Sequence, residues 1–169
     1  DLETLAAVDA VAAHIVGTFG MRDTFDALFN NGAFACPGAA EDLPRGALRE
    51  IFEVNLFGCH DLTRRVIPMM RAQGHGRIIN CSSVLGLVGM KWRGAYVATK
   101  FAMEGLTDVL RIEMRGTGID IILIEPRRDD EHLFVIRAVE NPDFPAPRQL
   151  FDASPEEIMI QFLRIGSLE

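Results

Sequence analysis

Tyr96 and Lys100 place a phenol and an ammonium four residues apart in the segment GAYVATKFAMEGL, residues 94–106. Apolar residues recur at helical spacing in this segment, and residues four apart project from the same face of a helix. A fixed positive charge near a phenol favours the phenolate and lowers its pKa, which suits acid/base catalysis near neutral pH. The pair therefore predicts a proton-transfer site, although the spacing alone is common in helical proteins.

Further polar groups follow two predicted strands. The segment RIINCSS, residues 77–83, is an apolar run of strand type that ends in two hydroxyls, the second of which is Ser83. Asn30, Asn31 and Gly32 follow the apolar run FDALF. Because ligands of open α/β sheets bind at the carboxyl ends of the strands, we expect these groups at one edge of a sheet. The alternative for Asn30 and Gly32 is an ordinary strand-end turn, since both residue types tolerate left-handed backbone conformations.

The elements that must position these groups alternate between strands and helices, which predicts the α/β class. Pro44 suits the first turn of a long helix, Pro68 predicts a kink near its far end, and Gly116 to Gly118 indicate the end of the next helix. The apolar patterns predict strands at 25–29, 77–81 and 119–124, and helices at 5–20, 44–72, 95–115 and 129–140. A Gly-rich loop is predicted at 84–94, a Pro-rich connection at 141–148 and a last helix from Ser154.

In their order and spacing, these residues resemble the short-chain dehydrogenase/reductase family. The family has a strand ending in NNAG, an Asn in the following helix, a Ser after the next strand and then YxxxK. This chain has NNGA, Asn55, Ser83 and YVATK in that order. The resemblance implies a doubly wound, Rossmann-like α/β fold with a parallel sheet, as a single domain over residues 1–169.

The resemblance also implies a role for each member of the set. Tyr96 would give a proton to a carbonyl oxygen or take one from a hydroxyl, and Ser83 would hydrogen-bond the same oxygen. Lys100 would lower the pKa of Tyr96 and hold the nicotinamide ribose. Asn55 would hold a water that links Lys100 to solvent, whereas in isolation it would be interpreted as a solvated or locally bonded polar residue.

The implied cofactor is NAD or NADP, which the sequence does not distinguish. By the resemblance, Asn30 and Gly32 line the adenosine side of the cofactor cleft, although the order NNGA exchanges the last two residues of the family motif. Asp1 falls where the family has an Asp near the adenine. Tyr96, Lys100 and Pro126 complete the predicted cofactor contacts.

Two parts of the family pattern have no counterpart in the sequence. Neither GxxxGxG nor GxGxxG occurs, so the front strand-helix-strand that cradles the pyrophosphate is missing, and we expect residues to precede Asp1. The family also has a mobile substrate lid after the strand that ends at Glu125 and Pro126. Because this chain passes directly to Arg127, we expect a missing lid segment between residues 126 and 127.

The composition and net charge exclude several classes of function and partner. The chain has 169 residues, of which 49% are hydrophobic, enough for one core of ordinary domain size. A formal net charge of -7 argues against nucleic acid or an anionic membrane as partner, and no apolar run is long enough to span a bilayer. The three cysteines are widely spaced without CxxC, so no metal site or disulfide framework is indicated and a reducing cytoplasm fits best.

The sequence therefore predicts an NAD(P)-dependent oxidoreductase. The resemblance is strongest to the branch acting on hydrophobic alcohols, aldehydes and ketones such as retinoids and steroids, and it implies a homodimer or homotetramer built on the helices that begin near Pro44 and Ala95. Two alternatives remain. One is a catalytically silent protein that binds a dinucleotide, and the other is a structural chain whose amphipathic helices mediate assembly.

Overall fold

Three apolar segments form the parallel part of a four-stranded sheet. The computed structural model describes residues 10–11, 13–14, 25–128 and 133–139. Strands β1 (Ala27–Asn30), β2 (Gly76–Cys81) and β3 (Ile119–Arg128) pair in parallel in that order, with Asn30 opposite Asn80 and Cys81 opposite Ile124. Their runs of Ile and Leu are typical of strands buried on both faces. The α/β class with a parallel sheet is confirmed.

Two helical regions connect these strands. The first consists of helix α1 (Arg45–Phe52), a π-helical segment (Glu53–Gly58) and helix α2 (Cys59–Gln73), which follow one another without a break. Helix α3 (Gly94–Glu113) lies between β2 and β3, after a short 3₁₀ turn (Val84–Gly86). The predicted helices at 44–72 and 95–115 are therefore confirmed to within two residues.

The core joins the sheet to α2 and to the end of α3. Its buried apolar side chains come from all three parallel strands and from one stripe of α2, which is the amphipathic pattern that predicted this helix. Phe25, Ile67 and Leu110 pack against its edge. The core cluster comprises Leu28, Leu62, Val66, Met70, Ile78, Met114, Ile119 and Ile121.

Two glycines allow the chain to turn where α2 and α3 end. Gly74 ends α2 in a left-handed conformation, with φ 79° and ψ 5°. Gly118 has φ 80°, its carbonyl accepts a hydrogen bond from the N–H of Gly76 at 3.2 Å, and a Cβ there would collide with the Gly74 carbonyl. Both positions favour glycine because L-residues rarely adopt this backbone region.

Two predictions near the end of the described chain are wrong. Residues 129–140 were predicted to form a helix, but Leu133–Val139 forms strand β4, which pairs antiparallel with β3. The segment LFVIRAV is an apolar run rich in β-branched residues, and pairing with the free edge of β3 favours the extended form. Strand β3 also continues past the predicted stop at Glu125 and Pro126 to Arg128, with a register irregularity between Ile124 and Pro126.

The front and back of the chain are described only in part. Residues 10, 11, 13 and 14 are helical, as predicted for 5–20, and the rest of that helix lies outside the described residues. The predicted connection at 141–148 and the helix from Ser154 also lie outside them. Within the described part, no helix combines the length and the apolar character needed to cross a membrane.

Candidate active site

Helix α3 brings Tyr96 and Lys100 together, as their spacing predicts. The Lys100 Nζ lies 5.5 Å from the centroid of the Tyr96 ring. Lys100 is only 3% exposed, and its ammonium donates a hydrogen bond to the carbonyl oxygen of Cys81 at 2.7 Å. Cys81 is the last residue of β2, so this bond ties the helix to the carboxyl end of the sheet. The phenol and the ammonium therefore meet where α/β sheets bind their ligands.

The surroundings of Lys100 disfavour its charge. Burial lowers the pKa of Lys100 because water no longer solvates the ammonium, whereas the neighbouring Cys81 and Cys59 and the Glu104 carboxylate act in the opposite direction. Burial also raises the pKa of both thiols, and the ammonium opposes that rise. Lys100 is therefore a buried cation held by one carbonyl and by nearby groups that are or can become anionic.

Ser83 lies directly beyond β2, in an extended conformation with φ -165° and ψ 158°. Its Oγ accepts a hydrogen bond from the N–H of Leu85 at 3.2 Å and so caps the 3₁₀ turn. The Ser83 side chain also lies near enough to the Tyr96 hydroxyl to lower the pKa of Tyr96. The two hydroxyls are thus neighbours, which suits a site that holds one substrate oxygen between them.

The predicted decrease in the pKa of Tyr96 is not what the structure gives. Burial raises the pKa of Tyr96, because the half-buried phenolate would lose solvation. The hydrogen bond from Ser83 lowers it, Cys81 raises it, and the positive charge of Arg93 lowers it. The group whose charge opposes the effect of burial is therefore Arg93, a residue that the sequence analysis did not single out.

Asn55 lies in the π-helical segment and is fully buried. Its Oδ1 accepts from the N–H of Phe34 at 2.9 Å, while its Nδ2 donates to the carbonyl of Phe34 at 3.0 Å and to Thr99 Oγ1 at 3.3 Å. The interpretation as a solvated residue is excluded. Asn55 joins the segment after β1 to helix α3, one residue before Lys100, and π turns are frequent at functional sites.

Asn30 directs its side chain along the sheet. Its Nδ2 donates to Thr63 Oγ1 at 2.9 Å and to Asn80 Oδ1 at 2.8 Å, and Asn80 Nδ2 in turn donates to Thr107 Oγ1 at 2.9 Å. We call these four residues the amide–hydroxyl network. Asn31 and Gly32 are exposed beyond the strand end, so contact of the Asn30–Gly32 turn with a cofactor stays a prediction that would rest on their backbone groups.

A cavity of about 420 Å³ lies beside Tyr96. Met90, from the Gly-rich loop predicted at 84–94, lines this cavity, whereas Trp92 does not. Trp92 is 51% exposed and has the Lys91 Nζ 4.5 Å from the centroid of its ring. The remaining lining residues are Ala33, Phe34, Ala35, Leu85 and Arg93.

A second cavity, of about 160 Å³, lies between α2 and α3 and contains neither Tyr96 nor Ser83. Its lining includes Thr63, Asn80 and Thr107 of the amide–hydroxyl network together with apolar side chains of both helices. It is therefore separate from the predicted proton-transfer site.

The structure says less about the two other predicted site residues, Asp1 and Pro126. Asp1 lies outside the described residues. Pro126 lies in β3 opposite Val135 of β4, beyond the end of the parallel pairing. In the ranges that the structure describes, no group of three or more His, Cys, Asp or Glu side chains is arranged to hold a metal.

Lys100 offers a direct test of whether a nicotinamide ribose would fit. An ammonium has three N–H donors, and among the described residues the Cys81 carbonyl is the one acceptor that the Lys100 ammonium bonds. The remaining donors of this buried group lie at the carboxyl edge of the sheet, with Nζ 5.5 Å from the centroid of the Tyr96 ring. Hydroxyls of a ribose are suitable acceptors for them, so the residues present fit the cofactor.

Comparison with known proteins gives one consistent family. The short chain dehydrogenase family model matches residues 1–128. An uncharacterized oxidoreductase of Escherichia coli, YbbO, is 39% identical over 126 residues, which cover 75% of this chain and 46% of that protein. Bovine retinol dehydrogenase 8 is 38% identical over 101 residues, covering 60% of this chain and 32% of the relative. The chain thus spans about half or less of the length of these relatives.

Solved structures agree in fold. A short-chain dehydrogenase from Streptomyces avermitilis superimposes with a TM-score of 0.70 at 35% identity, covering 76% of this chain and 46% of that one. A Beutenbergia cavernae protein, provisionally assigned as an NAD(P)-dependent gluconate 5-dehydrogenase with bound NADP, gives a TM-score of 0.67 at 34% identity, over 73% of this chain and 48% of that one. With Ser83, Tyr96 and Lys100 assembled at the carboxyl end of a parallel sheet, the chain belongs to the short-chain dehydrogenase family.

Proposed function

We propose that the protein is an oxidoreductase that transfers a hydride between a nicotinamide cofactor, NAD or NADP, and the carbon of a carbonyl or alcohol. The observation that carries the proposal is the assembly of Tyr96, Ser83 and Lys100 at the carboxyl end of β2, next to a cavity of about 420 Å³. Of the three side chains, Tyr96 lines the cavity. A proton donor at a cavity, with a second hydroxyl and a cation nearby, suits a reaction that adds or removes a proton at one oxygen.

Each side chain has a separate task. Tyr96 gives its hydroxyl proton to the carbonyl oxygen in reduction, and takes a proton from the hydroxyl in oxidation. Ser83 donates a hydrogen bond to the same oxygen and stabilises its developing negative charge. When the Tyr96 phenolate forms, the Lys100 ammonium stabilises it through the field of a nearby positive charge.

The cofactor supplies the hydride when it is bound. Lys100 would hold the ribose hydroxyls with its remaining N–H donors, and Asn30, Gly32, Pro126 and Asp1 are the further contacts that the family resemblance implies. The NADP bound in the Beutenbergia cavernae structure and the oxidoreductase name of the Escherichia coli relative support this choice of cofactor.

The substrate is a small molecule with a hydrophobic body. Apolar side chains form most of the cavity wall beside Tyr96, and Phe34, Leu85 and Met90 are the largest of them. The name of the bovine relative, retinol dehydrogenase 8, supports an apolar alcohol or aldehyde. A primary or secondary alcohol, or the corresponding aldehyde or ketone, suits this wall.

A homodimer or homotetramer is part of the proposal. Phe101, Val109 and Ile112 fall on one face of α3 and are 47%, 51% and 60% exposed. Phe57, in the preceding helical region, is 47% exposed. Exposed apolar side chains in such numbers favour burial against another copy of the chain. Light scattering on a size-exclusion column measures the mass, and a monomer at micromolar concentration would contradict this part.

The test of the function is a titration of the purified protein with NADH and with NADPH, followed by assays of aldehyde and ketone reduction. Energy transfer from Trp92, the single tryptophan, to the nicotinamide reports binding. Saturable binding of one cofactor with turnover of a carbonyl substrate is the expected result. Binding without turnover of any carbonyl or alcohol would favour a silent dinucleotide-binding protein, and absence of both would overturn the proposal.

A further inference from the structure

Arg93 is a cation in the wall of the cavity that holds Tyr96. It is the residue immediately before helix α3, three positions before Tyr96, and it lines the same cavity of about 420 Å³. Arg93 and Tyr96 are the two polar side chains among the residues of that wall, since the other five are alanine, phenylalanine, leucine or methionine. The apolar wall therefore carries one fixed positive charge beside the proposed proton donor.

The backbone around Arg93 is held by several contacts. Arg93 forms a parallel bridge with Gly38, and the N–H of Gly38 donates to the carbonyl of Trp92 at 3.0 Å. The N–H of Arg93 donates to the carbonyl of Met90 at 3.2 Å. Trp92 has φ 66°, a conformation that persists in a bulky residue only where surrounding contacts impose it. These contacts hold the backbone of Arg93 in place at the start of α3, and so limit where its guanidinium can lie.

The guanidinium of Arg93 has no hydrogen-bond or ion-pair partner among the described residues. By contrast, two arginines of the helices are paired, Arg64 with Asp61 at 3.0 Å and Arg111 with Asp108 at 2.7 Å. A half-buried guanidinium between apolar side chains gains most from an anion that matches its planar fork of N–H donors. A carboxylate is the group that fits this geometry with two parallel hydrogen bonds.

We propose that Arg93 is a specificity residue that binds a carboxylate on the substrate, so that the preferred substrates are hydrophobic oxo acids and hydroxy acids. This inference rests on the proposed function, because it names the substrate class for the same site. In reduction the carbonyl carbon accepts a hydride from the nicotinamide cofactor and its oxygen accepts a proton from Tyr96. The carboxylate at Arg93 keeps its charge throughout.

The test compares benzoylformate with methyl benzoylformate, which differ in the charge at the position facing Arg93. The ester has the more reactive carbonyl, so the comparison is made between variants and not within the wild-type protein. In Arg93→Gln we expect kcat/KM for benzoylformate to fall about 10-fold or more, because a charged hydrogen-bonding partner is lost. The value for the ester should change less than about 3-fold, and Arg93→Lys should recover part of the loss.

Lys91→Gln is the matched control. It removes the same unit of charge two residues away, from a side chain that lies over the Trp92 ring and not in the cavity wall. It should leave the ratio of the two kcat/KM values unchanged. A ratio that falls equally in Lys91→Gln and Arg93→Gln would mean that general electrostatic attraction, and not a site, selects the acid, and would overturn the inference.

A second outcome separates a direct contact from an effect through Tyr96. If Arg93→Gln lowers kcat/KM for the acid and the ester by the same factor and shifts both pH profiles, then Arg93 acts only through the pKa of Tyr96 and the inference is wrong. Retention of the full acid preference in Arg93→Gln would overturn it as well.

Binding without turnover distinguishes failure of this inference from failure of the proposed function. Mandelate and mandelamide can be titrated in the absence of cofactor, with Trp92 fluorescence as the signal and calorimetry as the check. Dependence of mandelate binding on Arg93, without any nicotinamide-dependent turnover, would keep the carboxylate site and reject the oxidoreductase. Turnover of neutral ketones with mandelate and mandelamide bound equally well would do the reverse.

Discussion

Two buried polar regions lie close together on the same strands and differ in how their groups are partnered. In the amide–hydroxyl network, Asn30, Asn80, Thr63 and Thr107 bond one another at 2.8 to 2.9 Å, and Thr107 also donates to the carbonyl of Met103 at 2.6 Å. At the site, Lys100 has one acceptor, and Arg93 has none among the described residues. Buried polar groups that are fully paired stabilise a fold, whereas donors left available at a cavity suit a ligand.

The contrast also appears in the charges. The network consists of neutral amides and hydroxyls, which can be buried at little cost once they are hydrogen-bonded. The site contains a phenol, an ammonium and a guanidinium, and burial shifts the pKa of both Tyr96 and Lys100 away from the charged form. Buried groups whose charged forms are disfavoured are typical of functional sites, where residues needed for the reaction lower the stability of the fold.

The largest expected effect is a loss of turnover when a side chain of the site, but not of the network, is changed. Tyr96→Phe removes the proton donor and keeps the ring, so turnover should fall about 100- to 10,000-fold, the usual contribution of a positioned acid or base. The midpoint of thermal unfolding should stay close to that of the wild type, because Tyr96 is only partly buried. Steady-state kinetics with the preferred carbonyl substrate measure the loss, and substantial retained activity would remove Tyr96 from the mechanism.

The next effect is one of stability alone. Thr107→Val removes the acceptor of Asn80 Nδ2 and leaves a buried amide donor unpaired, which should lower the free energy of unfolding by about 1–3 kcal/mol. Urea titration measures it. Thr117→Val is the control, since Thr117 also donates to a helix carbonyl but is only partly buried, and it should cost less. A loss of turnover in Thr107→Val at full stability would contradict the division between the regions.

The smallest effect is a pH dependence centred on Lys100. Its pKa is lowered in the folded protein, so between that lowered pKa and the ordinary value for Lys, about 10.4, the unfolded chain binds more protons. Stability from this group therefore rises as pH increases through that window, and the desolvation penalty is fully present below it. Lys100→Met removes the penalty, and its stability advantage over the wild type should be largest at pH 7 and shrink toward pH 10.

Urea titrations of both proteins at the two pH values give this difference. A constant difference between wild type and Lys100→Met would mean that burial of the ammonium does not oppose its charge. Activity should be lost in the variant at either pH, because the proposed mechanism needs the cation.

Much of the fold and part of the site follow from the sequence. Strands rich in Ile and a helix with apolar residues at regular spacing leave few choices, and Tyr96 and Lys100 must share a helix face once that helix forms. The strand Leu133–Val139 was missed because a short apolar run is compatible with either periodicity, and the open edge of β3 decides the outcome. That information lies in another part of the chain.

The remaining differences depend on three-dimensional surroundings. The direction of the Asn30 side chain is set by Asn80 and Thr63, which are distant in sequence. The pKa of Tyr96 moves up because burial outweighs nearby charge, and spacing alone carries no information about burial. One feature of the sequence could have pointed to Arg93: it is a cation three positions before the tyrosine, at the start of the same helix. This position becomes informative only when the cavity is known.

The π-helical segment takes up one residue without changing the rotational phase between α1 and α2. A π turn closes its hydrogen bond one residue later than an α turn, so it holds one residue more for about the same rotation. Deleting one residue from Glu53–Gly58 would therefore allow a continuous α-helix with α2 in nearly its present orientation. Ile51 and Val66, both buried now, could still face the core together. The deletion would instead remove the wider turn that carries Asn55, so the extra residue in this segment serves the site and not the packing of the two helices.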